Sequence, residues 1–187
     1  MGHDDKREAL LVCAYRLFER QGFNGTGVDQ IAAESGVTKR TLYKHFGSKE
    51  GLIEAVLEQH QAELIERMRT AIFTEEQDCM ARFMRCFDLY REWFGCSTFA
   101  GCIFMKTINE FAGCSSNLSG IAQQSKIAIR EILVEVAAEG KLRDPALLAD
   151  QLQLVLEGAI VVAQYGACDQ AIETARSLAR SLIEKMR

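Results

Sequence analysis

Residues 28–49 read VDQIAAESGVTKRTLYKHFGSK, and this stretch decides the fold. Val28, Ile31 and Ala32 recur at i, i+3 and i+4, so residues 28–35 form a short amphipathic helix. Gly36 ends it, because glycine enters the left-handed conformation of a helix C-cap without a Cβ penalty. Thr38 then offers its hydroxyl to the free N–H groups of a second helix over residues 39–46. On that helix Leu42 and Phe46 stand four apart and face inward. Lys39, Arg40, Tyr43 and Lys44 point elsewhere, with His45 beside them. Two short helices across a glycine turn, the second one basic, form a helix-turn-helix suited to a DNA major groove.

The pattern extends outward over residues 22–52, GFNGTGVDQIAAESGVTKRTLYKHFGSKEGL. It runs through a glycine–aromatic step, a Thr before a Val-x-x-Ile-Ala helix, Gly-Val-Thr, Leu-Tyr-x-His-Phe and Ser-Lys-Glu. This run resembles the DNA-binding segment of the TetR family of bacterial repressors. The resemblance implies an all-α protein of about nine helices. It would have a helix-turn-helix domain over residues 1–48 and a ligand-binding and dimerisation domain over residues 49–187. It also implies that Tyr43 and His45 meet backbone phosphates, and that Lys49 grips a phosphate at the start of the next helix. The positive end of that helix would favour the same phosphate.

The residues themselves nominate Thr38, Lys39, Arg40, Thr41 and Lys44 for base or phosphate contact, being early and outward on the second helix. Arg40 can serve as a bidentate donor to a guanine edge or as a phosphate contact. Thr26 is expected to cap the helix at residue 28, with Gly27 leaving the backbone room to approach a phosphate.

Charge placement agrees. The formal net charge is -4, yet between Ser35 and Lys49 there are four cations and no carboxylate, so the remainder sums to -8. A basic patch on an acidic body favours docking to nucleic acid by one face. One proline and 14 glycines in 187 residues fit an all-helical chain with one substantial core. No run approaches 18 uninterrupted apolar residues, and the amino terminus lacks a cleavable small-residue site; no membrane span or secretion signal is expected. Seven cysteines without a regular framework fit reduced thiols in a cytoplasm. None pairs at C-x-x-C spacing, and no cofactor or metal is implied.

In chain order, Asp4 or Asp5 is expected to cap a first helix ending at Gly22. A long helix over residues 49–72 follows the basic segment. Seven of the ten phenylalanines lie between Phe73 and Phe111, together with Trp93, the one tryptophan. This aromatic concentration suggests an apolar ligand pocket involving Phe83, Phe87, Tyr90, Trp93, Phe94, Phe104 and Met105. Asn109, Glu110, Gln123 and Gln124 are candidate polar fixtures for it. Cys79, Cys86, Cys96, Cys102 and Cys114 share the region, and Cys96 and Cys102, at a helix break, are candidates for a thiol sensor.

Asn117 is expected to cap a helix burying Ile121, Ile127 and Ile132 among others. Asp144-Pro145 signals the next helix, and Asp169 the last. The helix after Pro145 is apolar on more than one face and must be covered on both sides. The last two helices are therefore read as a homodimer surface, a four-helix bundle with their symmetry mates, with Ala159, Ala163, Ala175 and Ala179 permitting close approach.

The expected function is a cytoplasmic, homodimeric regulator, a repressor, that binds a palindromic operator and is released by a small apolar effector. Thiol sensing competes within the same class. A non-catalytic helical adaptor with only non-specific DNA binding is the reading from another class. No nucleophile–base pair or phosphate loop argues for an enzyme.

Overall fold

The computed structural model of the protein describes residues 3–73, 78–113 and 117–187. Its elements are α1 (His3–Gln21), α2 (Val28–Ser35), α3 (Lys39–Phe46), α4 (Lys49–Ile72), α5 (Cys79–Phe94), α6 (Ile103–Glu110), α7 (Leu118–Glu139), α8 (Pro145–Ala163) and α9 (Cys168–Lys185). Among the described residues there is no strand. The fold is all-α, as its apolar periodicities require. Cys114 lies outside the described residues.

By packing, the chain divides differently from the expected partition at residue 48. One unit joins residues 1–62 to residues 102–125, and the other joins residues 63–101 to residues 126–187. The boundary falls inside α4 and α7.

In the first unit Leu10, Leu17 and Phe18 of α1, Ile31 of α2, Leu42 of α3 and Leu52 and Leu57 of α4 are fully buried. Phe23 is buried with them, its ring 5.0 Å from Phe18. An exposed ion pair, Arg16 to Glu34, crosses from α1 to α2 at 2.9 Å. Asp4 and Asp5 lie in the first turn of α1, where carboxylates complement the helix dipole.

In the second unit α5, α8 and α9 pack together. Arg143 N–H donates to Met186 O at 2.7 Å, which brings the start of α8 to the end of α9, so the two run antiparallel. Arg176 and Arg91 of α9 and α5 reach Asp88 and Glu173, tying those helices together. Arg82, almost fully buried, donates to Ile72 O and Glu139 and lies over the Phe73 ring.

At the last two helices one expected cap is found and the other is not. Asp144 accepts from Leu147 N–H at 3.2 Å, with Pro145 opening α8. Asp169 instead sits in the first turn of α9, whose N-cap is Ala167 with no side-chain bond. Ile127 is exposed, against expectation, while α7 buries Ile129, Ile132 and Leu133.

Helix α8 is the most apolar of the long helices, though Asp150, Gln151, Gln153 and Glu157 interrupt its apolar run. Its 19 residues are long and apolar enough to cross a bilayer by composition, at mean hydropathy 1.6, and only 39% of the most apolar window is buried in the protomer. Its carboxylates are paired: Asp150 with Arg130 and Glu157 with Lys126 of α7. Leu147, Leu154 and Val161, seven apart, remain exposed. Ala159, Ala163, Ala175 and Ala179 are buried within the protomer. Beside them an open apolar groove of about 590 Å³ runs along both helices, lined by Leu154, Gly158 and Val162 of α8 and by Thr174, Ala175 and Leu178 of α9.

Candidate nucleic-acid interface

The turn between α2 and α3 is built from three local devices. Gly36 has φ 68°, the left-handed conformation that closes α2. A Cβ at Gly36 would meet nothing within 4 Å, so conformation, not space, calls for glycine. Val37 tucks into the core at 4% exposure, fixing the register of the turn. Thr38 then takes extended geometry, and its hydroxyl oxygen accepts from Thr41 N–H at 3.3 Å. Thr41 Oγ1 lies 2.9 Å from the same oxygen. Without that cap the first N–H groups of α3 would need water or a ligand.

With the start of α3 set, its faces follow. Leu42 is fully buried; Lys39, Arg40, Tyr43 and Lys44 are exposed; Thr41 and His45 are half-buried. Phe46 is also only half-buried, and the Arg7 guanidinium lies over its ring at 5.6 Å. Gly47, at φ 74°, ends α3, and Ser48 caps α4 by accepting from Gly51 N–H at 2.9 Å. Lys49 is thus the first residue of α4, half-buried beside the free N–H groups of that helix start.

Two predicted site residues are placed otherwise. Thr26 does not cap α2. Its hydroxyl donates to Gly22 O at 2.7 Å and the residue is fully buried, while Gly27 holds the N-cap position with no side-chain bond. Lys39 is engaged by Asp29 of α2 in an exposed ion pair. Counting charge over residues 35–49 missed Asp29, which the glycine turn folds back beside α3.

The aromatic candidates separate. Phe83, Phe87, Tyr90 and Phe94 are buried in the second unit and Trp93 half-buried there. Tyr90, Trp93 and Phe94 pack with Phe99, the Trp93–Phe99 centroids 5.0 Å apart at 85°. Phe104 is buried in the first unit, 5.5 Å from the His60 ring. Met105, Asn109 and Gln123 are exposed, so none is an inward fixture. At their positions α6 and α7 turn Phe104, Thr107 and Ala122 inward, which leaves these neighbours outside.

Glu110 is committed elsewhere, to the N–H groups of Phe23 and Asn24. Nearby, Lys106 of α6 donates to the Glu19 carbonyl. Burial pushes the Glu19 carboxyl above its ordinary range, with Lys106 acting oppositely; burial also lowers the Lys106 ammonium. These contacts span more than eighty residues, and no local signal in the sequence announces them.

Of the thiol candidates, Cys96 is exposed and its Sγ donates to Glu92 O at 3.3 Å. Cys102 is the N-cap residue of α6 but is buried, which denies it the exposure a sensor needs. Burial pushes the Cys86 thiol up to about 12. Among the described residues no cluster of three His, Cys, Asp or Glu side chains is placed to hold a metal ion.

Comparison with known proteins bears on both parts of the chain. Residues 10–56 match the family described as "Bacterial regulatory proteins, tetR family". The transcriptional activator FasR of Mycolicibacterium smegmatis is 41% identical over 71 residues, covering 38% of this chain and 32% of FasR. The transcriptional regulator LmrA of Bacillus subtilis is 52% identical over 82 residues, covering 43% of this chain and 39% of LmrA. The chain thus spans well under half the length of these relatives. The crystal structure of SCO4454, a TetR-family transcriptional regulator from Streptomyces coelicolor, superposes with TM-score 0.90 at 22% identity, covering 98% of this chain and 96% of that one. The local match supplies the lineage of the helix-turn-helix and the structural match supplies the fold of the whole. Residues 10–56 thus resemble the helix-turn-helix segment of the tetR family of bacterial regulatory proteins, and the chain as a whole shares the fold of a solved TetR-family regulator.

Proposed function

We propose that this protein is a sequence-specific DNA-binding transcriptional regulator that acts as a homodimer in the cytoplasm. The observation that carries this reading is the outward face of α3. Arg40, Tyr43 and Lys44 are exposed on a helix whose start is fixed by the Thr38 cap. Thr38, Thr41 and Arg40 are proposed for the groove, and Tyr43, Lys44, His45 and Lys49 for flanking phosphates. Lys39 joins them on releasing Asp29.

The homodimer forms through α8 and α9. An exposed stripe at seven-residue spacing beside a long apolar groove supports an antiparallel or crossed helix pairing with a second copy. Two-fold symmetry then asks for a palindromic operator whose half-sites lie about 34 Å apart.

Occupying such an operator excludes other proteins from it, so repression is the simplest consequence of binding. FasR is described as an activator, and the sign is therefore a matter for transcription assays. A small apolar effector, held among Phe83, Phe87, Tyr90, Trp93 and Phe94, would release DNA by preferring a conformation in which α3 is misplaced. A hundredfold release needs only about 2.7 kcal/mol of coupling. The exposure of Cys96 favours one competing effector chemistry, oxidation or alkylation of that thiol, and replacing Cys96 by Ser would abolish release by such reagents.

The deciding experiment is binding of the purified protein to duplexes selected from a random pool, against unrelated competitor at several salt concentrations. A symmetric footprint over two half-sites that survives competitor supports the reading. Equal, steeply salt-dependent binding to all duplexes would leave only an electrostatic patch.

A further inference from the structure

Glu110 stands where α6 alone does not favour it. It is the last residue of α6, where the helix dipole presents its negative end and cations are the preferred neighbours. The reason lies in the turn between α1 and α2. Glu110 Oε1 accepts from Phe23 N–H at 3.0 Å and Oε2 accepts from Asn24 N–H at 2.8 Å. One carboxylate therefore holds two successive backbone donors that neither helix satisfies.

The turn is shaped around that carboxylate. Gly22 has φ 76°, which strains any side chain, and a Cβ there would stand 2.5 Å from Glu110 Oε1 and push the carboxylate off its donors. Phe23 is fully buried, with the rings of Phe18 and Phe111 at 5.0 and 5.5 Å. Thr26 closes the far side by donating to Gly22 O. One turn earlier on α6, Lys106 donates to the Glu19 carbonyl. The end of α6 thus grips the end of α1 and the residues that launch α2.

We propose that Glu110 is a positioning residue for DNA recognition: its carboxylate fixes the turn from which α2 starts, and so the angle at which α3 meets DNA. The inference rests on the DNA-binding reading above. Glu110 touches no nucleotide; it acts through the backbone of Phe23 and Asn24. Freeing those two N–H groups loosens the α2–α3 pair while Phe18, Phe23 and Phe111 keep the core closed. Loosened heads cost more on a duplex with two half-sites, where both must be in register, than on one half-site.

The test uses the full chain, a palindromic duplex selected from a random pool by the unaltered protein, and the same duplex with one half-site scrambled. E110A should weaken full-site binding by about tenfold and half-site binding by less than about threefold, with faster amide exchange at Phe23 and Asn24. E110Q keeps one acceptor and should fall between; it carries the comparison if E110A does not fold. Equal losses on both duplexes, or no loss with those amides still protected, would overturn the positioning role. A protein that selects no duplex at all would sink the DNA-binding reading and this inference with it, whereas a selected duplex with an indifferent Glu110 sinks only the latter.

Discussion

On α3 the buried residue is Leu42 and the exposed ones are Lys39, Arg40, Tyr43 and Lys44. On α8 the arrangement is reversed: Leu147, Leu154 and Val161 are exposed while Asp150 and Glu157 are paired with cations of α7. A helix that puts cations outward on an acidic chain is prepared for a polyanion, whose counterions it displaces. A helix that neutralises its charges internally and leaves leucines outside is prepared for another apolar surface. The first surface works at long range and weakens with salt; the second works only on contact and hardly feels salt. Each can therefore be broken without breaking the other.

The largest effect should come from the apolar face. Leu154 is 73% exposed in the protomer, so Leu154→Glu should leave protomer folding intact. In a dimer it would remove about 1.5–3 kcal/mol of burial per copy and insert a carboxylate into an apolar seam. Sedimentation should show dimer dissociation weakened by at least about a hundredfold, and the footprint should shrink to single half-sites. A variant that stays dimeric would remove α8–α9 as the interface.

Next comes α3. Arg40→Ala should cost about 1–3 kcal/mol on the selected duplex and relax preference at one base pair if Arg40 reads guanine. Lys44→Ala should weaken binding to all duplexes alike and reduce the salt slope by about 1. Identical behaviour of the two variants would place Arg40 on phosphate. Neither should change the sedimentation of the protein.

Smaller again is the cap. Thr38→Ala leaves the Thr41 N–H without its acceptor and should lower stability by about 1 kcal/mol, read as a shifted urea midpoint with unchanged slope. An unshifted midpoint would mean that water replaces the hydroxyl at no cost, and that the α3 start is held by Val37 and Leu42 alone.

The same contrast explains what the sequence discloses. Gly36, Thr38 and Asp144-Pro145 act on neighbours within four residues, and their roles are legible from the chain. Thr26 and Asp169 carry the right chemistry for caps but sit one residue before and two residues after the cap position, shifts below the resolution of periodicity. Met105, Asn109 and Gln123 belong to α6 and α7 as expected, yet which way they face depends on what those helices pack against. Glu110 reads as a candidate pocket fixture because the residues it serves, Phe23 and Asn24, lie more than eighty positions away. The outer face of α8 is less legible: the sequence nominates Ala159, Ala163, Ala175 and Ala179 for close approach, yet these are buried within the protomer and Leu147, Leu154 and Val161 stay outside, while the pairing of Asp150 and Glu157 is tertiary.

The smallest expected effect probes the charged face at its own weak point. Asp29 is 84% exposed and paired with Lys39, a contact worth no more than about 1 kcal/mol in water. In the free protein the pair dims the basic surface; in the proposed complex the lysine would exchange it for a phosphate. Asp29→Asn should therefore tighten binding by about two- to threefold on specific and unrelated duplexes alike, and make the salt slope slightly steeper. Asp29 also lies in the first turn of α2, where a carboxylate favours the helix dipole, so the variant should lose a few tenths of a kcal/mol of stability at about the same time. The two consequences separate in a cycle with Lys39→Ala. In that background the stability loss should persist and most of the affinity gain should vanish. A gain that survives without Lys39 would mean that Asp29 repels DNA directly, and that the pair has no part in setting the field α3 presents.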